Sequence, residues 1–161
     1  MALIGVISDT HIPARARTLP GRVLELFDGA DLILHAGDFI DASVLKELNA
    51  VAPTRGVLGN CDSVELGAIL PHTASIESGG AQIGMIHDSG PTDRRRERML
   101  KAFPGHRVVV FGHSHRPVID DDGYMLLLDP GSACDPRWAK IPTVAILRIE
   151  HGRPEARLIQ I

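Results

Sequence analysis

The first third of the chain alternates short apolar runs with amphipathic stretches. The apolar runs predict strands at 3–7, 32–34 and 54–58, and the stretches between them predict helices at 22–27 and 42–48. Asp41 directly precedes the second helix and suits its N-cap. Strands that alternate with helices over short connections indicate parallel pairing with crossover helices.

The rest of the chain predicts hairpins around one further helix. The predicted elements are a hairpin of 74–77 and 82–86 turned at Gly79-Gly80, a helix at 93–103, a strand at 107–111, a hairpin of 118–120 and 124–128 turned at Asp122-Gly123, and a last hairpin of 143–149 and 156–161 around residues 151–154. No repeat, linker or low-complexity stretch interrupts this pattern. We therefore expect a single domain over residues 1–161, an α/β fold with two mixed sheets face to face and helices outside.

Composition narrows the range of partners. The net charge of −3 and the pI near 6.2 leave no sequence-wide basic surface for nucleic-acid phosphates. The two cysteines, Cys61 and Cys134, form no disulfide framework. The chain has neither a basic leader followed by an apolar segment nor an apolar run long enough for a bilayer. We expect a cytoplasmic protein with no membrane partner and no nucleic-acid partner.

Side chains of metal-ligand type follow five of the predicted strands. These side chains are Asp9, His11, Asp38, Asn60, His87, His113 and His115. Because the carboxyl ends of strands line one crevice in open α/β sheets, we expect these loops to converge.

This set of donors predicts a site for two divalent metal ions. Imidazole together with carboxylate oxygen favours manganese, iron, nickel, cobalt or zinc over calcium, and we expect manganese first. The seven donors exceed what one tetrahedral ion with an open position can use, whereas two ions that share a bridging carboxylate account for all of them. Two such ions with Asp9 and Asp38 leave a charge of about +2, which predicts an anion site, with phosphate as the natural anion.

Other histidines and charge runs have structural explanations. His35 lies in an apolar strand and is expected to be buried or to support a ligand. His72, His106 and His151 lie near turns and are expected at the surface. The run from Arg94 to Arg98 is interpreted as a solvated helix face rather than a substrate clamp. Each ligand motif alone is weak evidence, and only their joint order after strands is specific.

The motifs occur in the order Asp9-x-His11, Gly37-Asp38, Gly59-Asn60-Cys61-Asp62, His87 and Gly112-His113-Ser114-His115. This order resembles the calcineurin-like metallophosphoesterases, and most of all their small single-domain bacterial and archaeal phosphodiesterases. The resemblance extends from about Ile4 to Arg137. It implies a four-layer α/β/β/α sandwich.

The resemblance also implies a site assignment and a reaction. Asp9, His11 and His115 would hold one metal, Asn60, His87 and His113 the other, and Asp38 would bridge them. Asp38, Asn60 and His113 would be the catalytic residues. A metal-bridging hydroxide would attack phosphorus in line, and the substrate would be a small phosphate ester. Dimers are common in the family, so a homodimer is a further expectation.

Three positions depart from the family pattern. Cys61 stands where many relatives carry a histidine that is their proposed acid for the leaving oxygen, although the small branch often has cysteine there too. Asp88 follows His87 where glycine is usual, and Asp129 stands where asparagine is common. The last two changes remove no ligand.

Two other functions compete with a phosphodiesterase. The small retromer subunit resembles the same family yet serves as an interaction scaffold, but it has lost part of the ligand set that is filled here. Relatives that cut DNA carry additional domains, and this sequence has neither that length nor an evident basic groove.

Overall fold

The computed structural model describes residues 1–161 and contains ten strands and four α-helices. The elements begin with β1 (Ala2–Ile7), α1 (Gly21–Phe27), β2 (Leu32–His35), α2 (Ala42–Val51), β3 (Thr54–Gly56), α3 (Val64–Gly67), β4 (Thr73–Ser78) and β5 (Ala81–Ile86). They continue with α4 (Arg95–Ala102), β6 (Val108–Val110), β7 (Val118–Asp121), β8 (Leu126–Asp129), a 3-10 turn (Arg137–Ala139), β9 (Thr143–Glu150) and β10 (Arg153–Gln160).

The strands form two mixed sheets, as the sequence predicts, and each sheet has five strands. The first sheet has the order β10-β9-β1-β2-β3, in which β1, β2 and β3 are parallel. The second has the order β4-β5-β6-β8-β7, in which β5, β6 and β8 are parallel. In the first sheet β3 is a parallel edge strand, and the antiparallel hairpin of β9 and β10 forms the other edge. In the second sheet both edges, β4 and β7, belong to antiparallel hairpins.

Alternation along the strands places the sheets face to face. Ile4 and Val6 of the first sheet lie in one buried cluster with Val108 and Val110 of the second. Because successive strand residues point to opposite faces, the next residues along each strand face outward. Ile7 accordingly packs in a second cluster with the helices α1 and α2, while Val109 packs in a third with α4. The result is four layers, α/β/β/α, which confirms the implied fold class.

Two local predictions were inaccurate. The last hairpin turns on His151 and Gly152, both at positive φ (50° and 77°), so β10 begins at Arg153 rather than at Ala156. Two residues of this conformation form the tight turn that matches strand twist. The helix α3 was not predicted because its four residues are too few for helical periodicity. No helix of the chain combines the length and the apolar character needed to cross a membrane.

The contact between Gly5 and Phe27 fixes how closely α1 approaches the first sheet. A Cβ at Gly5 would lie 2.7 Å from the Phe27 ring. We therefore expect Gly5→Ala to lower the free energy of unfolding by about 1–3 kcal/mol through overpacking. Urea unfolding would measure this loss. Gly21→Ala is the control, since nothing lies within 4 Å of a Cβ there.

The loss should shrink when Gly5→Ala is introduced into a Phe27→Leu background, because the smaller side chain leaves room for the new methyl group. An equal loss in both backgrounds would show that the ring is not the cause.

Candidate metal centre

All seven predicted donors lie at the carboxyl ends of parallel strands. Asp9 and His11 follow β1, Asp38 follows β2, and Asn60 lies beyond β3 in the first sheet; His87 follows β5, and His113 and His115 lie beyond β6 in the second. Five of the seven have left-handed backbone, namely Asp9, His11, Asp38, His113 and His115, with φ of 52°, 47°, 60°, 69° and 56°. Non-glycine residues rarely adopt this conformation, and it concentrates at functional sites.

A first set of donors comes from Asp9, His11 and His115. The Nε2 atoms of His11 and His115 are 3.3 Å apart. Oδ1 of Asp9 lies 3.8 Å from Nε2 of His11 and 3.4 Å from Nε2 of His115. All three side chains are buried. Three donors that face a common point at these separations can bind one cation.

A second set comes from Asn60, His87 and His113. Oδ1 of Asn60 lies 3.0 Å from Nε2 of His87 and 3.0 Å from Nδ1 of His113. These two imidazole nitrogens are 3.3 Å apart. Asn60 and His113 are exposed, so this half of the centre is open to solvent.

The carboxylate of Asp38 lies between the two sets. Its Oδ2 is 3.5 Å from Nε2 of His11 in the first set and 3.4 Å from Nε2 of His87 in the second. Its Oδ1 accepts a hydrogen bond from the Cys61 amide at 2.8 Å, which fixes the orientation of the group. One oxygen is thus directed to both sets, while the other is held by backbone.

The buried charges of these carboxylates fit a cation site. Oδ1 of Asp9 is buried and receives no hydrogen bond, although Oδ2 accepts from Ser8 Oγ at 2.6 Å and from the His113 amide at 3.0 Å. Burial opposes ionisation, but His11, His87 and the Ser8 hydroxyl together lower the pKa of Asp9. An ionised buried oxygen without a donor is costly in protein alone and is satisfied by a metal ion.

Asp38 and His87 each stabilise the charged form of the other. Burial opposes ionisation of Asp38, yet His87 and the Cys61 amide lower its pKa. Burial lowers the pKa of His87, yet Asp38 and Asp9 raise it to about 9. The centre therefore favours positive charge, and a metal ion at Nε2 of His87 would compete with a proton for the same nitrogen.

Backbone carbonyls orient two of the histidine rings. Nδ1 of His87 donates to the Ala36 carbonyl at 2.7 Å, and Nδ1 of His115 donates to the Asp135 carbonyl. In the neutral rings this leaves both Nε2 lone pairs directed at the centre.

Sequence reasoning missed two polar side chains that tie the loops together. The carboxylate of Asp62 accepts from the amides of Gly59 at 2.7 Å, Ile40 at 2.8 Å and Asp38 at 3.2 Å, so it joins the loops after β2 and β3. Ser132 Oγ donates to the Asp9 carbonyl at 2.6 Å and accepts from the Asp135 amide at 2.8 Å. Asp62 stands in the Gly-Asn-Cys-Asp motif, which was the available signal, whereas Ser132 had none.

Cys61 also lies at the centre, although sequence reasoning did not count it as a donor. Its sulfur is within 4.8 Å of ligand atoms of His11 and Asp38. Burial and the charge of Asp38 raise the pKa of its thiol.

Two glycines allow the loops to approach the centre. A Cβ at Gly59 would lie 2.2 Å from Asp38, and a Cβ at Gly112 would lie 2.0 Å from Ser8 Oγ and 2.7 Å from Asp9 Oδ2. No other residue fits at either position without moving a carboxylate that faces the donors. The glycines in these two motifs are therefore steric requirements of the site.

The remaining histidines lie where the sequence predicts. His35 is fully buried, stacks on Phe39, and makes hydrogen-bond contacts with the Thr10 hydroxyl at 3.1 Å and the Gly37 amide at 3.2 Å. Burial lowers its pKa to about 3, so it stays neutral and supports the loops. His72, His106 and His151 are not buried.

The prediction of a solvated face on α4 holds for Arg94 and Glu97, which are exposed, but not for Arg96 and Arg98. Arg96 forms ion pairs with Asp120 at 2.8 Å and Asp122 at 3.0 Å. Arg98 donates to the carbonyls of Ser89 and neighbouring loop residues. These side chains attach α4 to surrounding loops, and charge counting along the sequence cannot distinguish that role from solvation.

Known proteins resemble this chain over most of its length. Residues 2–152 match the model of the calcineurin-like phosphoesterase superfamily domain. A probable metallophosphoesterase of Methanothermobacter thermautotrophicus is 39% identical over 160 residues, which cover 98% of this chain and 92% of the relative. The phosphodiesterase YfcE of Escherichia coli is 32% identical over 156 residues, covering 81% of this chain and 78% of that protein.

The fold has a close counterpart among solved structures. Vacuolar protein sorting 29 of Cryptosporidium parvum superposes with a TM-score of 0.81 at 19% identity, covering 99% of this chain and 97% of that chain. This likeness concerns the fold alone. Together with the family match over residues 2–152, it leads to one conclusion: the chain belongs to the calcineurin-like phosphoesterase superfamily.

Proposed function

We propose that the chain is a phosphodiesterase that depends on two divalent metal ions. The observation that carries this proposal is the position of Asp38, whose Oδ2 lies within 3.5 Å of one donor from each three-residue set. A carboxylate between two sets is the arrangement that a pair of ions with a shared ligand requires. The similar proteins named phosphodiesterases support a diester as the substrate.

The residues present fit two ions of intermediate softness. Asp9, His11 and His115 would hold one, Asn60, His87 and His113 the other, and Asp38 would be shared. Mixed nitrogen and oxygen donors suit manganese, which we propose first, as well as iron, nickel, cobalt and zinc. When bound, the ions would supply an activated water as nucleophile and would neutralise charge on the phosphoryl oxygens.

The chain itself contributes orientation. Ser8 and the His113 amide hold one oxygen of Asp9, and the Cys61 amide holds one oxygen of Asp38, so both carboxylates present their second oxygen to the donors. Asn60 and His113, the exposed pair, form the side from which a phosphate ester can approach. Preorganised groups of this kind need not rearrange when charge develops during reaction.

An interaction scaffold of the same fold is the alternative. It has less support here, because all seven donor positions are filled and converge, and Asp9 keeps a buried carboxylate oxygen without a donor. A scaffold would gain nothing from that unsatisfied charge. A homodimer and a cytoplasmic location stay predictions.

The shared position of Asp38 predicts unequal effects of two matched substitutions. Asp38→Asn should lower turnover of bis(4-nitrophenyl) phosphate by more than about 100-fold and remove more than one metal ion per chain, because even groups that only orient a ligand cost about 10–100-fold. Asp9→Asn should cost less, since Asp9 belongs to one set. Elemental analysis and steady-state rates on manganese-loaded protein measure both effects.

Asp93→Asn is the matched control, because that carboxylate is 90% exposed in the loop before α4. Equal losses for Asp38→Asn and Asp9→Asn, with full metal content in both, would contradict a shared position.

Cys61 predicts a preference for acidic leaving groups. A thiol is a weak hydrogen-bond donor and a thiolate donates none, so Cys61 protonates a leaving oxygen poorly. We expect fast hydrolysis of nitrophenyl esters and slow hydrolysis of alkyl esters. Cys61→His should raise the alkyl-ester rate by at least about tenfold relative to the nitrophenyl-ester rate. Cys61→Ala should leave the nitrophenyl rate nearly unchanged.

Cys134→Ala serves as the cysteine control, since Cys134 is half-buried and packs in the cluster beside α1 and α2. A steep fall in the nitrophenyl rate of Cys61→Ala, with metal content intact, would contradict this assignment and give Cys61 a role in attack or metal binding.

A further inference from the structure

A second groove opens beside the metal centre on the side of His115. It encloses about 340 Å³, and its walls include Arg95, Ser114, Arg116, Arg137 and Trp138. Ser114 stands between His113 and His115 in the chain, so one wall of the groove comes from the loop that carries these two donors. No aspartate or glutamate lines it. Three guanidinium groups therefore share one small space beside that loop.

The donors of these arginines are largely unused. The guanidinium of Arg116 makes no hydrogen bond or ion pair with the protein. Nε of Arg95 is buried without a partner, and its Nη2 has only two long contacts, at 3.4 and 3.5 Å. Arg137 engages Asp135 through Nε alone, at 3.1 Å. A guanidinium has five N–H donors, so most of the donor capacity here faces the groove or solvent.

Another arginine of α4 does use its donors within the protein. Arg96, one residue beyond Arg95, is paired with two aspartates at 2.8 and 3.0 Å. Arg95 instead lies over the Phe111 ring, with 4.9 Å between its guanidinium carbon and the ring centroid. This stacking fixes the plane of the guanidinium and leaves its edge available. Arg96 is thus paired with carboxylates, whereas Arg95 is held in place by Phe111 and has no ion pair.

Asp135 links the groove to the centre. Its carbonyl accepts a hydrogen bond from Nδ1 of His115, and its carboxylate accepts one from Nε of Arg137 at 3.1 Å. The backbone of Arg137 is left-handed, with φ of 45°. Such strain is retained where the surrounding structure enforces it, as at ligand-binding positions.

A groove of opposite character leaves the other side of the centre. It encloses about 390 Å³ and is lined by Leu58, Asn60, His72, Asp88 and His113 among others, with no arginine or lysine. A phosphodiester carries two ester groups. Of the two grooves, this one is lined by three of the donors, and the arginine-lined one adjoins the loop that carries His113 and His115. One groove is neutral to acidic, and the other is strongly basic.

We propose that the arginine-lined groove binds a second anionic group, a phosphate or a carboxylate, on one of the two ester groups of the substrate. This inference rests on the proposed phosphodiesterase function and narrows its substrate class to diesters that carry an additional anion. Guanidinium donors bind both oxyanions through paired hydrogen bonds. The small volume and the three cations suit one such group rather than a nucleic-acid strand, in agreement with the net charge of −3.

Trp138 adds a flat apolar surface at the rim of the groove. Its side chain is 82% exposed, which is unusual for a large aromatic group without a partner. It can cover the carbon stem of a bound ester group. It is also the only tryptophan of the chain, so its fluorescence reports directly on occupancy of this groove.

A matched pair of inhibitors tests the proposal. Butylphosphonate and 4-phosphonobutanoate have the same chain length and differ in a terminal methyl group against a carboxylate. With manganese-loaded full-length protein and bis(4-nitrophenyl) phosphate as substrate, the carboxylate should lower the inhibition constant by roughly tenfold. The homologues 3-phosphonopropanoate and 5-phosphonopentanoate vary the reach from the centre. Calorimetry and Trp138 fluorescence measure the same difference without turnover.

Two arginine variants locate the effect. Arg116→Gln should remove most of the carboxylate advantage, measured as the ratio of the two inhibition constants, because a general change in turnover does not alter that ratio. Arg153→Gln should keep the advantage, because Arg153 begins β10 at the opposite end of the first sheet. Equal inhibition by the methyl and carboxylate compounds at every chain length would overturn the proposal. So would an advantage that persists in the double variant Arg95→Gln/Arg116→Gln.

These outcomes are separable from the proposed function. If wild-type protein hydrolyses the diester but shows no carboxylate advantage, the phosphodiesterase proposal stands and the groove proposal falls. If it hydrolyses no diester, the phosphodiesterase proposal falls, and the substrate class inferred from the groove falls with it whatever calorimetry shows.

Discussion

The buried negative charge of Asp9 and Asp38 is the constraint on which the rest of the site depends. Two carboxylates in contact with the same imidazoles repel each other, and burial makes that repulsion costly unless cations or donors compensate it. The protein supplies donors to only one oxygen of each group. The other oxygens face imidazoles. Oδ1 of Asp9 lies 3.4 Å from Nε2 of His115, and Oδ2 of Asp38 lies 3.4 Å from Nε2 of His87, so both oxygens favour a cation.

Holding these groups in place requires unfavourable backbone. Left-handed residues such as Asp9 and His113 each cost about 1–3 kcal/mol, and they persist only when neighbouring structure enforces them. The enforcement comes from two hydrogen-bonded sheets that share a buried cluster of 16 residues. The close contact at Gly112 brings a loop of the second sheet against Ser8 and Asp9 of the first, and the contact at Gly59 brings the loops after β2 and β3 together. The packing of the apolar interior therefore sets the geometry of the polar centre.

The sequence predicted the parts of the molecule whose signal is local. Strands such as β1 and β6 are short runs of apolar residues, and the donors follow them closely. Both the strands and the positions of the donors could therefore be predicted from the sequence. The contacts of Asp62 and Ser132 could not, because each joins amides or carbonyls far apart in the chain. The roles of Arg95 and Arg96 differ although they are adjacent, and only the position of Asp120 and Phe111 in space separates them.

The contacts that complete the centre join residues far apart in the chain, so the centre forms only when the whole chain has folded. His11 meets His115 across 104 positions, and Ser132 reaches the Asp9 carbonyl across 123. Such high contact order means that loop-closure entropy must be overcome before any donor set is complete. No segment of the chain can therefore form a cation site by itself. An ion that binds only the folded chain would raise the free energy of global unfolding. Its removal would therefore destabilise the whole fold rather than one loop.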